Sequence, residues 1–250
     1  MDIFAHRGYS KVYPENTILA FKKALEFGCD GIECDVQMTR DNRLVVIHDE
    51  KINRVSAGRG FVKDYSYGEL EKLDFGKIKP GYEFQRLPQL YELLDLIKDY
   101  NNNSGRSKKL IKLNIELKNS EIFYPGIEEA VVAEVEKYEL PNEVIYSSFN
   151  HDSIKILNKM GKNLKTAPLI DKQMSNMIGF TKSLGSNGIH PSITAVNERL
   201  IKEILNSKMF LNIYTVNDVK IAAKLKKLGV SGIFTDSCKE FKEELQWRKV

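Results

Sequence analysis

The chain has 250 residues, and a hydrophobic content of 42% is enough to bury a substantial core in one or two domains. Its 38 basic and 34 acidic residues give a formal net charge of +4, and they form no basic cluster interleaved with aromatic residues, as a nucleic-acid groove requires. The 3 cysteines cannot all pair and lack metal-binding spacing, and no apolar run reaches the roughly 18 residues of a membrane span. These features predict a cytoplasmic protein with no nucleic-acid partner and no membrane span.

The first predicted unit is a strand followed by a loop and a helix. Residues 2–6 form a short apolar run, and helical periodicity begins only after the polar segment 14–17. Asn16 or Thr17 is a suitable N-cap for this helix, and Gly28 suits the C′ position at its end. The first strand is therefore expected to lead into a polar loop, and the helix begins after this loop.

Residues 31–49 contain two alternating apolar runs joined at a polar corner, which predicts a strand, a tight turn and a returning strand. Because side chains alternate between the faces of a strand, Glu33 and Asp35 point the same way. If residues 41–42 form a two-residue turn, counting outward places His48 opposite Asp35. Two acids and an imidazole brought together suit a hard cation beside a proton-transfer group. The structural alternative is that acids at strand ends often only cap the backbone or form surface ion pairs.

The regular pattern breaks after this hairpin. Residues 50–86 are rich in Gly and Lys, and only a short piece has a helical pattern, which predicts an insertion subdomain. The i, i+3, i+4, i+7 spacing of leucine and isoleucine over residues 90–97 then predicts an amphipathic helix. From residue 110 onward, strand and helix patterns alternate steadily.

Eight strands are predicted when the returning hairpin strand is set aside, at residues 2–6, 30–37, 110–118, 144–149, 166–170, 188–191, 210–216 and 232–235. Eight strands that alternate with helices in about 250 residues favour a TIM (β/α)8 barrel, an α/β fold whose active site lies at the C-terminal strand ends. We therefore expect a single barrel catalytic domain over residues 1–250, with an insertion at about 50–86 after the second barrel strand. A doubly wound open sheet is the competing fold, but no Gly-rich phosphate loop follows the first strand.

Polar side chains at the strand ends converge on one mouth in such a barrel, and they are His6, Arg7, Glu33, Asp35, Glu116, Lys118, Ser148, His190, Tyr214, Thr235 and Asp236. The three carboxylates of Glu33, Asp35 and Glu116, with few soft ligands nearby, favour one divalent cation, Mg²⁺ or Ca²⁺, over zinc. Arg7 and Lys118 suit an anionic substrate, because guanidinium and ammonium groups bind phosphate oxygens. A metal, two cations and two imidazoles beside a phosphate predict phosphodiester cleavage, in which the imidazoles transfer the protons.

Eight motifs occur in order along the chain: His6-Arg7-Gly8, Pro14-Glu15-Asn16-Thr17, Glu33-Cys34-Asp35, His48-Asp49, Glu116-Leu117-Lys118, Ser147-Ser148-Phe149, Tyr214-Thr215-Val216-Asn217 and Gly232-Ile233-Phe234-Thr235-Asp236. Together they resemble the glycerophosphodiester phosphodiesterase family, and the resemblance spans essentially the whole chain. It implies a TIM barrel with a small insertion after the second strand. The implied activity is the hydrolysis of glycerophosphodiesters, the deacylated phospholipid head groups, to glycerol 3-phosphate and an alcohol.

The resemblance also implies a role for each site residue: His6 and His48 as the catalytic acid/base pair, Glu33, Asp35 and Glu116 as ligands of the divalent cation, and Arg7, Lys118 and Tyr214 as phosphate- or substrate-binding residues. Tyr214 stands where the family commonly has Trp, and we expect it to form an aromatic wall for glycerol. Residues 53–58 match the corresponding run of the family only loosely, so the identity of the leaving alcohol stays open.

Two further functions remain as alternatives. Lysophospholipase D or phosphoinositide-cleaving activity on a similar barrel requires an apolar rim for acyl chains, and no obvious apolar loop surrounds the strand ends. A non-catalytic head-group-binding module is expected to have lost a catalytic histidine or a metal carboxylate, whereas this chain retains them all. His190 is left open as either a substrate contact or a structural residue, and the nucleophile is either water or a hydroxyl of the substrate.

Overall fold

The computed structural model describes residues 1–103, 110–140 and 144–247, which contain a nine-stranded sheet. The strands are β1 (Asp2–Ala5), β2 (Gly31–Met38), β3 (Leu44–Val46), β4 (Lys112–Leu117), β5 (Val144–Ser148), β6 (Lys165–Ile170), β7 (Gly188–Pro191), β8 (Phe210–Ile213) and β9 (Gly232–Thr235). All except β3 run parallel, and β1 pairs with both β2 and β9, which closes the sheet into a barrel. The predicted TIM barrel is therefore confirmed.

Helices connect the barrel strands, as this fold requires. They are α1 (Ile18–Glu26), α2 (Tyr67–Leu70), α3 (Leu90–Asn103), α4 (Ile127–Glu136), α5 (His151–Lys159), α6 (Met177–Ser183), α7 (Glu198–Asn206), α8 (Val219–Leu228) and α9 (Cys238–Trp247). Thr17 caps α1 through its side chain, and Gly28 follows the helix with a φ of 73°, as the sequence predicts. Helix α6 begins after Asn176, whose side chain accepts a hydrogen bond from Gly179 N and caps the helix. Among the described helices, none is long and apolar enough to cross a membrane.

Aromatic side chains fill the barrel interior beneath the strand ends. The rings of Phe4 and Phe234 lie 5.1 Å apart, and Phe210 packs against the same cluster. Three strands, β2, β7 and β9, begin with glycine where a Cβ would approach one of these rings. A Cβ on Gly188 would lie 1.9 Å from the Phe210 ring, and one on Gly31 would lie 2.5 Å from Phe4. This apolar filling leaves the C-terminal strand ends as the polar mouth of the barrel.

The hairpin between β2 and β3 differs from the predicted register by one residue. Asp35 O accepts a hydrogen bond from Ile47 N at 2.9 Å, so His48 does not lie opposite Asp35 in the ladder. The prediction is wrong because Thr39 pairs with Arg43, which leaves a loop of residues 40–42 in place of a two-residue turn. A residue with positive φ is typical of such a longer hairpin loop, and the φ of Asn42 is 58°.

His48 nevertheless reaches the mouth, because a buried amide holds the segment that follows β3. Gln37 Nε2 lies 3.1, 3.0 and 2.8 Å from the carbonyl oxygens of Ile47, His48 and Asp49. Tyr124 OH donates a hydrogen bond to Gln37 Oε1 at 2.9 Å, which fixes the orientation of the amide. A side-chain network therefore positions this segment where strand pairing ends.

The segment between β3 and α3 contributes to an apolar cluster separate from the main core. Its buried members are Val45, Ile47, Ile52, Val55, Val62, Tyr67, Leu70, Phe75 and Leu87. The helical structure of this segment consists of a 3₁₀ turn at Val62–Asp64 and the short helix α2. Because Arg54 and Lys79 of this segment line a cavity together with His6, the insertion forms part of the wall around the mouth.

Candidate active site

Three carboxylates meet at the mouth because of strand alternation and register. Glu33 and Asp35 lie two residues apart on β2, and the parallel register of β4 places Glu116 opposite Asp35. One oxygen from each carboxylate lies within 4.8 Å of the other two. The residues are only 3%, 1% and 9% exposed in chain order. The structure therefore brings together the three carboxylates that the sequence predicts as metal ligands.

The carboxylate cluster holds more negative charge than its surroundings neutralise. Burial, with repulsion from the other two carboxylates, raises the pKa of Glu33 well above its usual value. Burial also raises the pKa of Glu116. At Asp35 burial again opposes ionisation, but the nearby charges of Arg7, His48 and Lys118 and a hydrogen bond from Asn16 together outweigh it, and the pKa falls to about 2. A divalent cation among the three carboxylates would relieve this repulsion.

Buried oxygen atoms at the cluster are left without partners. Among the residues that the structure describes, Glu33 Oε1, Asp35 Oδ1, Asn16 Oδ1 and Asn114 Oδ1 are buried and accept no hydrogen bond. An unpaired buried acceptor is costly, so a set of them at one place indicates that another group satisfies them. Carboxylate and amide oxygens are the ligands that Mg²⁺ and Ca²⁺ prefer. These residues therefore fit a hard divalent cation.

Two cations flank the carboxylates. Arg7 N donates a hydrogen bond to Glu33 Oε2 at 2.8 Å, and Arg7 Nε lies 3.4 Å from Asp35 Oδ2. Lys118 Nζ donates to Glu116 Oε1 at 2.9 Å. Burial opposes the charge of both cations, but the neighbouring carboxylates outweigh it and raise the pKa of Arg7 and of Lys118. Both side chains therefore remain cationic beside the carboxylates.

Each of the two histidines at the mouth is oriented by an aspartate. Asp236 Oδ1 lies 2.7 Å from His6 Nδ1, and Asp49 Oδ1 lies 2.7 Å from His48 Nδ1. When Nδ1–H donates to the carboxylate, Nε2 is left as the proton acceptor of the neutral ring. Lys118 Nζ lies 3.3 Å from His48 Nε2, and an ammonium donor there suits the same tautomer. This arrangement leaves Nε2 as the proton acceptor of each neutral ring, and at His48 that nitrogen faces Lys118 Nζ.

Sequence reasoning misses the orienting role of these two aspartates. The available signal is adjacency, because Asp49 directly follows His48 and Asp236 directly follows the last barrel strand. The hydrogen bond from His48 is the main cause that lowers the pKa of Asp49. Burial opposes the ionisation of Asp236, but hydrogen bonds from His6 and Asn217 outweigh it, and its pKa is about 2. Both aspartates are therefore ionised when the imidazoles need an acceptor.

Arg54 of the insertion connects the two sides of the site. It donates hydrogen bonds to both carboxylate oxygens of Asp49 at 2.7 and 2.9 Å, and to both oxygens of Glu15 at 2.8 and 2.7 Å. Glu15 also accepts a hydrogen bond from Arg7 Nη1 at 3.0 Å. Arg54 therefore holds both Asp49, which orients His48, and Glu15, which pairs with Arg7. The sequence contains no periodic pattern that could have predicted this bridge.

A cavity of about 200 Å³ opens beside the histidines and the carboxylates. Its apolar wall consists of Phe149, Leu169, Tyr214 and Phe234. The rings of Phe149 and Tyr214 meet edge to face with their centroids 6.0 Å apart. A wall of this size and kind suits the carbon atoms of a small polyol.

Two of the polar residues at strand ends have buried side chains that bond within the barrel rather than to the carboxylate cluster. Neither His190 nor Ser148 is among the described residues that line the cavity. His190 is fully buried with its Nε2 2.9 Å from Asn212 Nδ2, and burial lowers its pKa to about 3. Ser148 Oγ donates to Leu117 O at 2.8 Å. Both residues therefore belong to the packed interior of the barrel.

The fold and the site define a class of protein. Acidic oxygens that fit a hard cation, next to cationic side chains that fit an anion, are typical of metal-dependent hydrolases of phosphate esters, and the C-terminal mouth is where TIM barrels catalyse reactions. The sequence profile of the glycerophosphoryl diester phosphodiesterase family matches residues 6–240. The chain belongs to this family, and it is a phosphoric diester hydrolase.

Individual relatives match over almost the whole chain. A glycerophosphodiester phosphodiesterase of Caldanaerobacter subterraneus subsp. tengcongensis is 40% identical over 236 residues, which cover 94% of this chain and 93% of the relative. One from Bacillus altitudinis is 39% identical over 242 residues and covers 94% of each. Among solved structures, a glycerophosphodiester phosphodiesterase from Parabacteroides distasonis has a TM-score of 0.82 at 28% identity, with 100% of this chain and 98% of that chain covered. An Oleispira antarctica phosphodiesterase in complex with the product sn-glycerol-3-phosphate has a TM-score of 0.85 at 24% identity. The match covers 98% of this chain and 97% of that chain, and it supports the fold.

Proposed function

We propose that the mouth of the barrel hydrolyses glycerophosphodiesters to glycerol 3-phosphate and an alcohol, with one divalent cation, Mg²⁺ or Ca²⁺. The observation that carries this proposal is the cluster of three buried carboxylates with unpaired oxygens, next to two imidazoles that aspartates orient. The complex of the Oleispira antarctica phosphodiesterase with sn-glycerol-3-phosphate agrees with the product that we propose.

Glu33, Asp35 and Glu116 are the proposed ligands of the cation. Their oxygens are close enough to share one ion, and they are hard donors of the kind that Mg²⁺ and Ca²⁺ bind. When bound, the cation supplies positive charge that stabilises the negative charge on the phosphoryl oxygens during the reaction.

His6 and His48 are the proposed proton-transfer pair. Both line the cavity, and in both Nδ1 contacts an aspartate, which leaves Nε2 for proton transfer. At His48 the substrate would replace Lys118 Nζ, which lies 3.3 Å from Nε2. One neutral imidazole accepts the proton of the attacking water or substrate hydroxyl. If the hydroxyl attacks, the alcohol leaves and a cyclic phosphodiester forms, which water then opens to glycerol 3-phosphate. The other imidazole, protonated, donates a proton to the leaving oxygen, and the pair returns to its starting state by proton exchange with solvent.

The remaining predicted residues would bind the substrate. Arg7 lines the cavity, and Lys118 contacts Glu116, which also lines it. Both keep their positive charge, and they are proposed to bind the non-bridging phosphate oxygens. Tyr214 and its aromatic neighbour Phe149 would contact the carbon atoms of glycerol. The four apolar residues of the cavity wall suit a small polyol rather than an acyl chain, which argues against lysophospholipase D activity.

The experiment that tests this function is a substrate panel with and without EDTA. The purified protein is incubated with glycerophosphodiesters and with lysophospholipids, and release of glycerol 3-phosphate and of the alcohol is measured. We expect metal-dependent hydrolysis of the glycerophosphodiesters. Hydrolysis of the lysophospholipids alone would favour lysophospholipase D, and binding of head groups without turnover in any metal would favour a binding module.

We also propose one catalytic domain over residues 1–250 with an insertion subdomain at about 50–86, and a cytoplasmic location. The apolar cluster of the insertion supports the first proposal. The second is supported by Cys29, Cys34 and Cys238, which are all free and buried, as is usual in a reducing compartment.

A further inference from the structure

A second and larger cavity adjoins the mouth. It has a volume of about 740 Å³, and His6 and Arg7 line both this groove and the smaller cavity. Its outer wall includes Lys11 from the loop after β1 and Ile78 and Lys79 from the insertion. The two cavities therefore meet at the residues that are proposed to transfer a proton and to bind phosphate.

This arrangement matches the shape of a phosphodiester. Phosphorus carries two alcohol arms, and a nucleophile that attacks in line places the leaving arm on the side opposite to itself. The small cavity has the volume and the apolar wall for glycerol. The groove beyond His6 and Arg7 is left for the second arm, which becomes the leaving alcohol.

The charges in the groove indicate which alcohol it accepts. Lys11 Nζ is paired with Glu240 Oε1 at 2.9 Å, and Arg54 is paired with two carboxylates. Lys79 Nζ donates instead to the neutral carbonyl oxygen of Lys11 at 2.8 Å. Across the described ranges 1–103, 110–140 and 144–247, no carboxylate forms an ion pair with Lys79. Lys79 therefore presents a half-buried positive charge that a ligand could neutralise.

The groove does not suit a quaternary ammonium group. Such a group is recognised by aromatic rings that surround it, and none of the described residues that line the groove is Phe, Tyr or Trp. We propose that the groove is the subsite for the leaving alcohol, and that Lys79 selects alcohols that carry an anionic group. This inference rests on the proposed hydrolysis of glycerophosphodiesters.

Glycerophosphoserine and glycerophosphoethanolamine form a matched pair of substrates, because their alcohols differ by a single carboxylate. The experiment measures kcat/KM for both with the wild-type protein and with Lys79→Met, in the presence of the activating cation. We expect the wild type to prefer glycerophosphoserine. In Lys79→Met the ratio of the two kcat/KM values should fall by about tenfold, mainly through the KM for glycerophosphoserine, as expected when one charged hydrogen bond is lost. Lys79→Arg should retain the preference.

Lys77→Met is the matched control. Lys77 lies in the same segment and donates to Asn53 O at 3.0 Å, but it does not line the groove, so its variant should leave the ratio unchanged. An unchanged ratio in Lys79→Met, or a wild-type preference for glycerophosphoethanolamine, would overturn the subsite while the phosphodiesterase activity stands. Failure to hydrolyse either substrate with any divalent cation would refute the proposed function itself, and the subsite with it.

Discussion

Histidines in two adjoining regions of the barrel have different surroundings. At the mouth, His6 and His48 each have Nδ1 against an aspartate, and both line the cavity. In the interior beneath, His190 on β7 is fully buried, contacts the Asn212 amide, and lies with its ring centroid 5.0 Å from that of Phe234. A histidine at a strand end is therefore suited to proton transfer only where a carboxylate orients it and a cavity reaches its other nitrogen.

The largest expected effect concerns the two histidines at the mouth. Replacement of either His6 or His48 by Ala should lower kcat by about 10²–10⁴, the usual contribution of general acid–base catalysis. The thermal midpoint and the affinity for the metal should stay close to wild type, because neither ring is a proposed metal ligand. Measurements of kcat, thermal midpoint and metal affinity on each variant test this expectation.

A change of leaving group distinguishes the two roles. A substrate with a nitrophenol-like leaving group needs little protonation, so it should restore turnover to the variant that lacks the general acid but not to the one that lacks the base. A variant with near-native turnover on a natural head-group substrate would remove that histidine from the mechanism. Loss of folding or of metal binding would instead indicate a structural or ligating role.

The orienting aspartates provide the second test. In Asp236→Asn and in Asp49→Asn an amide replaces the carboxylate, and it no longer favours the tautomer with Nε2 as acceptor. We expect kcat to fall by about 10²–10³ with a smaller change in KM. Asp152→Asn is the control, because Asp152 is exposed and pairs only with Lys155 among its described neighbours. If either orienting variant keeps wild-type kcat, the corresponding carboxylate does not control its histidine.

Arg54 should have a smaller effect, because it acts through Asp49 and Glu15. We expect Arg54→Ala to lower kcat by about tenfold, which is within the range usual for groups that hold a catalytic residue in place. Arg54→Lys should recover only part of the lost kcat, because an ammonium group cannot bind both carboxylates in a fork. Arg40→Ala is the matched control, since Arg40 is an exposed arginine that pairs with Glu69 of the insertion. Equal rates for Arg54→Ala and Arg40→Ala would show that the bridge does not support catalysis.

Tyr214 should affect binding more than turnover. Its ring belongs to the apolar wall of the cavity, and such a wall contacts the ground state and the transition state alike. Tyr214→Ala should therefore raise KM about three- to tenfold and lower kcat less. Because the buried Tyr214 OH has no hydrogen-bond partner among the described residues, the opposite pattern would indicate that the hydroxyl takes part in the chemistry.

The parts of this site that sequence predicts are those that depend on strand periodicity. Glu33 and Asp35 share a face because they are two residues apart, and Glu116 lies on the next barrel strand in parallel register. The mouth as a whole follows from the arrangement of eight strands. The position of His48 does not follow from strand periodicity, because the predicted hairpin register is wrong by one residue. The buried amide of Gln37 sets the position of the segment that carries His48.

Side-chain bridges in irregular segments are not predictable in the same way. Arg54 reaches Asp49 and Glu15 from a segment with little regular structure, and no spacing in the sequence marks these partners. His190 shows a related difficulty, since its position at a strand end agrees equally well with a site and with the core. Only the packing of Asn212 against its ring distinguishes the two.

His190 has the smallest expected effect on activity, but it should control how stability depends on pH. Burial lowers its pKa to about 3 in the folded protein, whereas an unfolded chain has a histidine pKa of about 6.5. Between these values the unfolded state binds a proton that the folded state does not. The stabilisation is therefore fully present above about pH 6.5 and is lost as the pH falls toward 3, at roughly 1.4 kcal/mol per pH unit.

A comparison of His190→Gln with the wild type isolates this dependence, because all other titrating groups are shared. Urea unfolding at about pH 6.5 and about pH 5 should show that the wild type loses about 1.6 kcal/mol more stability than the variant over this interval. Any constant cost of placing an amide in the core cancels in that difference. At neutral pH the folded variant should keep kcat within about twofold of wild type, because His190 does not line the cavity. Parallel stability curves would mean that His190 is protonated in the folded state, and a large fall in kcat would place it in the site with His6 and His48.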